Sequence, residues 1–328
     1  MNAQKRKTQI TRLIRDNNSV LILALLLIAC FIFVDGYIGS FNKVLENASK
    51  YGAVCIGLGL VMITGNIDLS VGFMAGVCGI SSVIVFNAVY AATEAPVLSL
   101  IVCIIAALIS GAVLGGLNGF VVAKIGVSPL IATIATNYIF NGLAFYFAKT
   151  PIAPTDKDIV RVFAKAQLFG IRWLTPAVIL FFVIVILVAL WMYKTRFGNA
   201  IYIVGDNPEA AAFSGISVSN TVFITYVICG VFAALCGFLM VSYEGQAIYQ
   251  QGNALATFPI SCCVIGGIKM AGGKGTAVHI LLGVIIMRAI DQMMKVLFLS
   301  PEMVNFITGV LLIVVLMIDR FTSSEEAD

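Results

Sequence analysis

Charged residues are scarce in this sequence. Asp, Glu, Lys and Arg make up 11% of its 328 residues, whereas hydrophobic residues make up 60%. Soluble globular proteins carry about 25% charged residues, so the composition excludes an ordinary soluble domain and indicates a chain that crosses a membrane several times. The basic residues form no patch interleaved with aromatic residues, so the net charge of +4 does not point to nucleic acid as a partner.

Residues that perform catalysis are also scarce. The sequence has one histidine, His279, and it lacks an H-E-x-x-H motif, a G-x-S-x-G motif and adjacent carboxylates within an apolar segment. The stretch GGIKMAGGKGT (266–276) has the glycine content of a phosphate-binding loop. A Walker A motif, however, needs Gly at the position of Ile268 and Ser or Thr at that of Gly275. The sequence therefore predicts a non-catalytic chain without a cofactor of its own, and a tight hairpin at 266–276.

Cysteine pairs spaced for metal binding are missing as well, since no C-x-x-C occurs. All eight cysteines lie inside apolar runs, which favours small thiols packed between helices over a disulfide framework or a zinc site. They are Cys30, Cys55, Cys78, Cys103, Cys229, Cys236, Cys262 and Cys263.

Long apolar runs are what the sequence has in abundance, and they predict an all-α bundle of about ten transmembrane spans. The window at 254–270 is short and contains Pro259, so nine spans or one broken helix remain open. Glycines at 51–60 and 111–119 suit close helix packing. The windows lie at 19–34, 48–64, 70–92, 96–123, 129–148, 175–193, 219–241, 254–270, 276–299 and 301–318.

Lysine and arginine predict the orientation of the bundle. The basic residues at 5–15 place the N-terminus in the cytoplasm, and ten spans return the C-terminus to the same side. The loop at 149–172 is also basic, but this count of spans places it on the extracytoplasmic side, which disagrees with the rule that basic loops face the cytoplasm. The domains are then a cytoplasmic tail (1–18), a transmembrane domain (19–318) with a cytoplasmic loop at 194–218, and a second cytoplasmic tail (319–328). The first span has no A-x-A-like cleavage site after it and is expected to remain as an anchor.

The cytoplasmic loop contains GDNPEAAAFSGI (205–216), which predicts a very short capped helix. Asn207 is the N-cap, Pro208 is the first helical residue, Ala210 and Ala211 propagate the helix, and Gly215 ends it. Glu209 lies at the positive end of the helix dipole, and Phe213 is its one large apolar residue. Such a helix either docks into a groove on a soluble partner or rests on the membrane surface.

Several stretches resemble one family of proteins. EAAAFSG (209–215) matches E-A-A-x-x-x-G, the loop signature of the membrane subunits of bacterial ABC importers, although the I-x-L-P element expected about ten residues later is absent. GNIDLSVG (65–72), GLNGFVVAKIGVSPLIATIAT (116–136), KTRFGNAIYIVGDNPEAAAFSGI (194–216) and CCVIGGIKMAGGKGT (262–276) resemble the ribose and galactose permease branch in the expected order. The related amino acid permeases carry an I-N-L-type segment where this chain has Ile67-Asp68-Leu69, which favours sugar.

The resemblance implies a permease subunit in a bacterial inner membrane that imports a monosaccharide. It further implies two ATPase subunits that bind the ATP, a second permease subunit, identical or different, and an extracytoplasmic binding protein that delivers the sugar. The short helix would be the coupling segment that engages the ATPase. A nucleoside, a furanose signal molecule or an amino acid remains an alternative substrate, and a self-contained secondary transporter remains an alternative class.

Polar residues within the spans are candidates for the translocation path, because isolated charges in lipid are costly. Arg288 and Asp291 lie three residues apart and either neutralise each other or line a polar path with Gln292. Asp68 and Ser70 precede the third span, where capping of its amides is favoured over substrate contact. Interhelical hydrogen bonds are expected of three asparagines, with the path as the alternative: Asn118, Asn137 and Asn141.

Overall fold

The computed structural model describes residues 37–171 and 173–300, with further positions at 28, 302–304, 306–310, 313 and 317. This part of the chain is helical, as the composition predicts, and one antiparallel bridge within it joins Ile152 to Ala247. A π-helical segment (Phe120–Ile125) extends α3, and 3-10 segments lie at Leu168–Gly170 and Tyr249–Leu255. The α-helices are α1 (Tyr37–Ile63), α2 (Val71–Thr93), α3 (Pro96–Gly119), α4 (Pro129–Phe147), α5 (Lys157–Lys165), α6 (Pro176–Lys194), α7 (Arg196–Asp206), α8 (Pro208–Phe213), α9 (Val218–Glu244), α10 (Phe258–Gly266) and α11 (Ala277–Val296).

Six of the described helices are long and apolar enough to cross a membrane. They are α2, α3 with its π-helical extension, α4, α6, α9 and α11, and each coincides with a predicted window. Helix α1 has 27 residues and a length of about 40 Å, but its first half carries Lys43, Glu46 and Lys50. Both tails lie outside the described residues, the predicted span at 19–34 is described only at position 28, and the span at 301–318 is described only in part. The total of about ten spans therefore stays a prediction.

The short apolar window at 254–270 forms a broken helix, which is one of the alternatives that the sequence left open for this segment. A 3-10 segment ends at Leu255, and α10 begins at Phe258 with Pro259 in its first turn. Helix α10 has nine residues and a length of about 14 Å, which is half of the hydrocarbon thickness. Proline is tolerated in the first turn because the amide there has no helical acceptor, so the helix restarts at this point.

Helix α9 forms the centre of the bundle and packs against α1, α2 and α3. Its contact with α3 is a backbone contact, since a Cβ added at Gly230 would lie 2.0 Å from the carbonyl oxygen of Gly111. The close packing predicted for the glycines at 111–119 is thereby confirmed. The seven cysteines described are buried, which agrees with the predicted packing role, while Cys30 lies outside the described residues.

Apolar side chains cover the outer faces of α3, α4 and α6. Ile109 on α3, Ile131 on α4 and Ile186 on α6 are each more than half exposed. Exposed aliphatic side chains along helices of this length are typical of a surface that faces lipid. The polar residues of the spans lie elsewhere, in the interior and on the surface formed by α1, α10 and α11.

Candidate functional site

The short helix α8 has the boundaries and caps that the sequence predicts. The Asn207 side chain accepts a hydrogen bond from the Ala210 amide at 2.9 Å, and Pro208 is the first helical residue. Gly215 has a φ of +80°, and the Ile216 amide donates to the Ala211 carbonyl at 3.0 Å, which closes the helix in a Schellman motif. The local signals thus fix this helix without help from the bundle.

Helix α8 presents its side chains to the outside. Ala211 is its one buried residue, whereas Glu209 is exposed and Phe213 is 93% exposed. An exposed phenylalanine on a capped helix is a rigid apolar projection with an acidic residue one turn away. Short helices that present an exposed apolar side chain in this way are a common docking element in protein–protein contacts.

The end of α1, the end of α7 and the loop after α10 meet next to α8 at one end of the bundle. The Gly273 amide donates to the Ile63 carbonyl at 2.9 Å, and a Cβ at Gly205 would lie 1.8 Å from that same oxygen. The loop of Gly273 is the predicted hairpin at 266–276, and the Lys269 amide donates to the Lys274 carbonyl across it at 3.3 Å. The contact confirms that the hairpin and the loop at 194–218 share one side of the bundle. We call Ile63, Gly205 and Gly273 the glycine junction.

The glycine junction ties α7 to the end of α1 and to the hairpin at 266–276. The Tyr202 hydroxyl donates to the Gly275 carbonyl at 2.7 Å, and burial raises the pKa of this phenol. Next to the joint between α7 and α8 lies an open cavity of about 570 Å³. Its lining includes Asn66, Ala123, Asp206, Pro208 and Ser219.

A polar cluster is buried deeper in the bundle, where α2 begins. Asp68 accepts hydrogen bonds from the Ser70 amide at 2.8 Å and the Ser70 hydroxyl at 2.7 Å, and its second oxygen accepts from Asn118 at 3.0 Å. All three residues are fully buried. Burial raises the pKa of the Asp68 carboxyl, and the hydrogen bonds from Ser70 and Asn118 oppose that rise. We call these three residues the buried cluster.

The buried cluster corrects one prediction and confirms another. The expectation that Asp68 and Ser70 cap the following helix is wrong: Ser70 is the N-cap residue, but neither side chain accepts from the amides of α2. The Asn118 amide nitrogen donates to both side chains instead, which is the interhelical hydrogen bond expected of that asparagine. The Asn118 carbonyl oxygen is buried without a partner among the described residues.

A second polar group lies around the break before α10, near the end of α9. Lys50 on α1 forms an ion pair with Glu244 at the end of α9, and Gln251 donates to the other oxygen of Glu244. The Lys50 ammonium also lies 4.8 Å from the centre of the Tyr51 ring. Because Tyr51 contacts Phe258 and Arg288 in turn, these side chains form one continuous group. We call Lys50, Tyr51, Glu244, Gln251, Phe258 and Arg288 the polar belt.

Arg288 lies between two aromatic rings. Its guanidinium carbon is 3.5 Å from the centre of the Phe258 ring and 4.3 Å from that of the Tyr51 ring. The predicted pairing of Arg288 with Asp291 is present but long, at 3.5 Å, and Lys295 lies closer to the same carboxylate oxygen, at 2.8 Å. Cation–π contact with the rings is therefore the main interaction of the guanidinium, and its Nε has no hydrogen-bond partner in the described structure.

Three other residues that the sequence proposed for the translocation path are not members of the polar belt. Gln292 follows Asp291 on α11 and is 7% exposed. Asn137 and Asn141 are half-buried and lie four residues apart on one face of α4. Helix α4 packs mainly against α2 and the 3-10 segment at 249–255. The structure thus unites Asp68 with Asn118 and places Arg288 near Asp291, but it leaves the α4 asparagines apart from both groups.

Sequence reasoning missed five members of the polar belt, namely Lys50, Tyr51, Glu244, Gln251 and Phe258. A signal existed for Lys50 and Glu244, because each is a charged residue at the edge of a long apolar run. Tyr51 and Phe258 carried no signal, since an aromatic residue in an apolar run is usually part of the core. Among the described residues, no group of three His, Cys, Asp or Glu side chains could hold a metal ion.

A bundle of membrane-length apolar helices with polar side chains between them and an exposed capped helix at one end has the architecture of a membrane transport component. Comparison with known families agrees: the family described as "Branched-chain amino acid transport system / permease component" matches residues 40–316. The chain belongs to this family and is a permease component of a transport system.

Individual relatives are similar over nearly the whole chain. The L-arabinose transport system permease protein AraH of Escherichia coli (strain K12) is 31% identical over 92% of this chain and 89% of its own length. The galactose/methyl galactoside import permease protein MglC of the same strain is 28% identical over 97% of this chain and 98% of its own. The autoinducer 2 import system permease protein LsrC of Yersinia pestis (strain Pestoides F) is 30% identical over 85% of this chain and 77% of its own. No solved structure matches the chain.

Proposed function

We propose that this chain is the membrane-spanning permease subunit of an ATP-driven importer for a monosaccharide in a bacterial inner membrane. The exposed, capped helix α8 is the observation that carries the proposal, because it has the form of a docking element and the sequence contains no Walker A motif. The names of AraH and MglC, which refer to L-arabinose and galactose, support a sugar as the substrate.

Helix α8 is the segment that engages a separate ATPase subunit in this proposal. Phe213 fills an apolar groove on that subunit, and Glu209 contributes charge at the edge of the contact. Nucleotide binding would move α8 over the adjacent cavity, and the glycine junction would transmit the movement to α1 and the hairpin at 266–276. A coupled rigid-body shift of this kind switches bundles between two states.

The end of the bundle that carries α8 faces the cytoplasm in this proposal, as the lysines and arginines of the sequence predict. The opposite end, which includes α5 and the loop after it, then faces a soluble binding protein that delivers the sugar. A second permease subunit, identical or different, completes the path across the membrane.

The translocation path passes along the polar belt together with Asp291 and Gln292. Asp68 and Asn118 are assigned a different role, because both are fully buried and hydrogen-bonded to each other and to Ser70. Asn137 and Asn141 are half-buried on α4 and are retained as secondary candidates for the path.

Reconstitution tests this function. The chain would be purified with its ATPase and binding-protein partners, placed in proteoliposomes, and assayed for uptake of labelled L-arabinose, D-galactose and D-ribose with and without ATP. We expect uptake that needs both ATP and the ATPase subunit. Uptake by the chain alone would identify a secondary transporter, and uptake of an amino acid but no sugar would reassign the substrate.

The docking role of α8 has its own test. Phe213→Ala and Glu209→Lys should leave the protein inserted but reduce the stimulation of the ATPase by the loaded binding protein at least tenfold. Ala212→Ser, at an exposed neighbouring position of the same helix, is the matched control and should behave as wild type. Wild-type stimulation in both test variants would rule out this docking surface.

A further inference from the structure

The polar belt lies between the middle of the bundle and the end opposite the glycine junction. Lys50 is 13 residues before Ile63 at the end of α1, a distance of about 20 Å along the helix, and Arg288 is 11 residues after Ala277 at the start of α11, about 16 Å. Both helix ends lie on the side of the glycine junction, and Glu244 is the last residue of α9, which begins at Val218 on that side. The belt therefore lies toward the end of the bundle that faces the binding protein in the proposed function.

The surface beside the belt does not suit lipid. Thr257 at the break before α10 is exposed, the Glu244 side chain is 32% exposed, and Lys295 next to Asp291 is 55% exposed. Charged side chains on a membrane-spanning bundle are costly in contact with lipid, so such a surface faces water, a ligand or another subunit. The exposed aliphatic faces of α3, α4 and α6 lie on other helices, which leaves this face for the path.

The charges in and around the belt are mostly neutralised within the protein. Lys50 pairs with Glu244, and Lys295 pairs with Asp291. The remaining cation, Arg288, lies between the rings of Tyr51 and Phe258. A site with internally paired charges offers directional hydrogen bonds without a strong net field, which suits an uncharged polar ligand better than an ion.

The rings and the guanidinium supply the two contacts that a sugar needs. Hydroxyl groups both donate and accept hydrogen bonds, and the Nε of Arg288 is a buried donor without a partner in the described structure. The faces of Tyr51 and Phe258 are apolar surfaces against which the C–H face of a sugar ring packs. The ring centres are 6.0 Å apart with Arg288 against both, so a sugar must displace the guanidinium from at least one of them.

We propose that Tyr51, Phe258 and Arg288 form a transient binding subsite for one neutral monosaccharide, and that Arg288 closes the subsite when it is empty by stacking between the two rings. This inference rests on the proposed import of a sugar. It names the residues that contact the sugar, and it assigns the closing of the empty subsite to the stacking of Arg288 between the two rings.

A cysteine at the break tests the subsite. Thr257→Cys would be introduced into the complete complex after replacement of Cys30 by alanine, since the other seven cysteines are buried. A membrane-impermeant thiol reagent is applied from the binding-protein side, with and without whichever of L-arabinose, D-galactose and D-ribose the wild-type complex imports. We expect labelling of Thr257→Cys that slows at least threefold with the imported sugar. Gln167→Cys, exposed in the loop before α6, is the matched control whose labelling should not change.

Ring variants then assign the protection to the subsite. In the Thr257→Cys background, Phe258→Leu should abolish protection by the sugar, whereas Tyr51→Phe keeps the ring and should retain it. Absence of labelling at Thr257→Cys, or labelling that the imported sugar does not slow, would overturn the subsite. Protection by D-galacturonate but not by the neutral sugar would overturn the neutral class of ligand. If the wild-type complex imports none of the three sugars, the proposed function fails first, and the two failures stay distinguishable.

Discussion

The buried cluster and the polar belt are both groups of polar side chains inside an apolar bundle, but they differ in exposure and in how their charges are met. In the cluster, no cation among the described residues pairs with Asp68, which accepts hydrogen bonds from Ser70 and Asn118, and all three residues are fully buried. In the belt, charges are paired or stacked on rings, and several side chains remain partly exposed. A fully buried group of this kind holds helices together, whereas a group whose side chains are partly exposed can be reached by a ligand.

The largest expected effect is a loss of stability in a variant that disrupts the buried cluster. Asn118→Asp places a second carboxylate against Asp68, with no cation to compensate it. An uncompensated buried charge costs about 3–5 kcal/mol, so the variant should not give a stable complex after extraction in detergent. Thermal unfolding monitored by aggregation or fluorescence measures the loss.

A double variant in which the two residues are exchanged tests the same contact more specifically. Asp68→Asn combined with Asn118→Asp restores one carboxylate and one amide at the same contact and should recover most of the stability. A stable Asn118→Asp single variant, or a double variant no better than the single one, would contradict the structural role of the cluster.

The next largest effect concerns the belt. Arg288→Met keeps an unbranched apolar chain between the rings but removes the guanidinium. Sugar uptake should fall at least tenfold, equivalent to about 1.4 kcal/mol, while the melting temperature changes little. Uptake and thermal stability are measured on the same preparation. A large loss of stability with proportional loss of uptake would instead make Arg288 a packing residue like Asn118.

A smaller effect is expected in the pH dependence of stability, which tests the ionisation of Asp68 in the buried cluster. Because burial raises the pKa of Asp68 above its ordinary value of 3.8, the folded wild type favours the protonated form and loses stability as pH rises through and above that range. Asn at position 68 cannot ionise, so the stability of Asp68→Asn relative to wild type should increase from about pH 4 upward. Melting temperatures of both proteins across pH 4–8 measure this difference. A constant difference across the range would show that Asp68 does not titrate there.

The smallest effect is expected at the exposed edge of the belt. Lys295→Ala removes the partner of Asp291, but the lysine side chain is 55% exposed, and exposed ion pairs contribute about 0.2–1 kcal/mol. Uptake and stability should stay within a factor of two of wild type. A tenfold loss of uptake would extend the sugar subsite to Asp291.

Local features of this fold could be predicted from the sequence. The limits and caps of α8 follow from Asn207, Pro208 and Gly215, because capping involves atoms within a few residues of each other. The break before α10 followed from Pro259 for the same reason. The role of Asp68 was not accessible in this way. Its neighbours in sequence suggested a cap, whereas its partner Asn118 lies 50 residues further along the chain.

The sequence by itself determined that this chain is a membrane bundle, where its long apolar helices lie, and that a short capped helix interrupts them, because hydropathy and capping act over short stretches. The tertiary structure decided which polar residues seal the interior and which remain available to a ligand. That choice depends on which helices meet. Arg288 lies between Tyr51 and Phe258 only because α1, α10 and α11 converge at one level of the bundle, and no local pattern specifies that convergence.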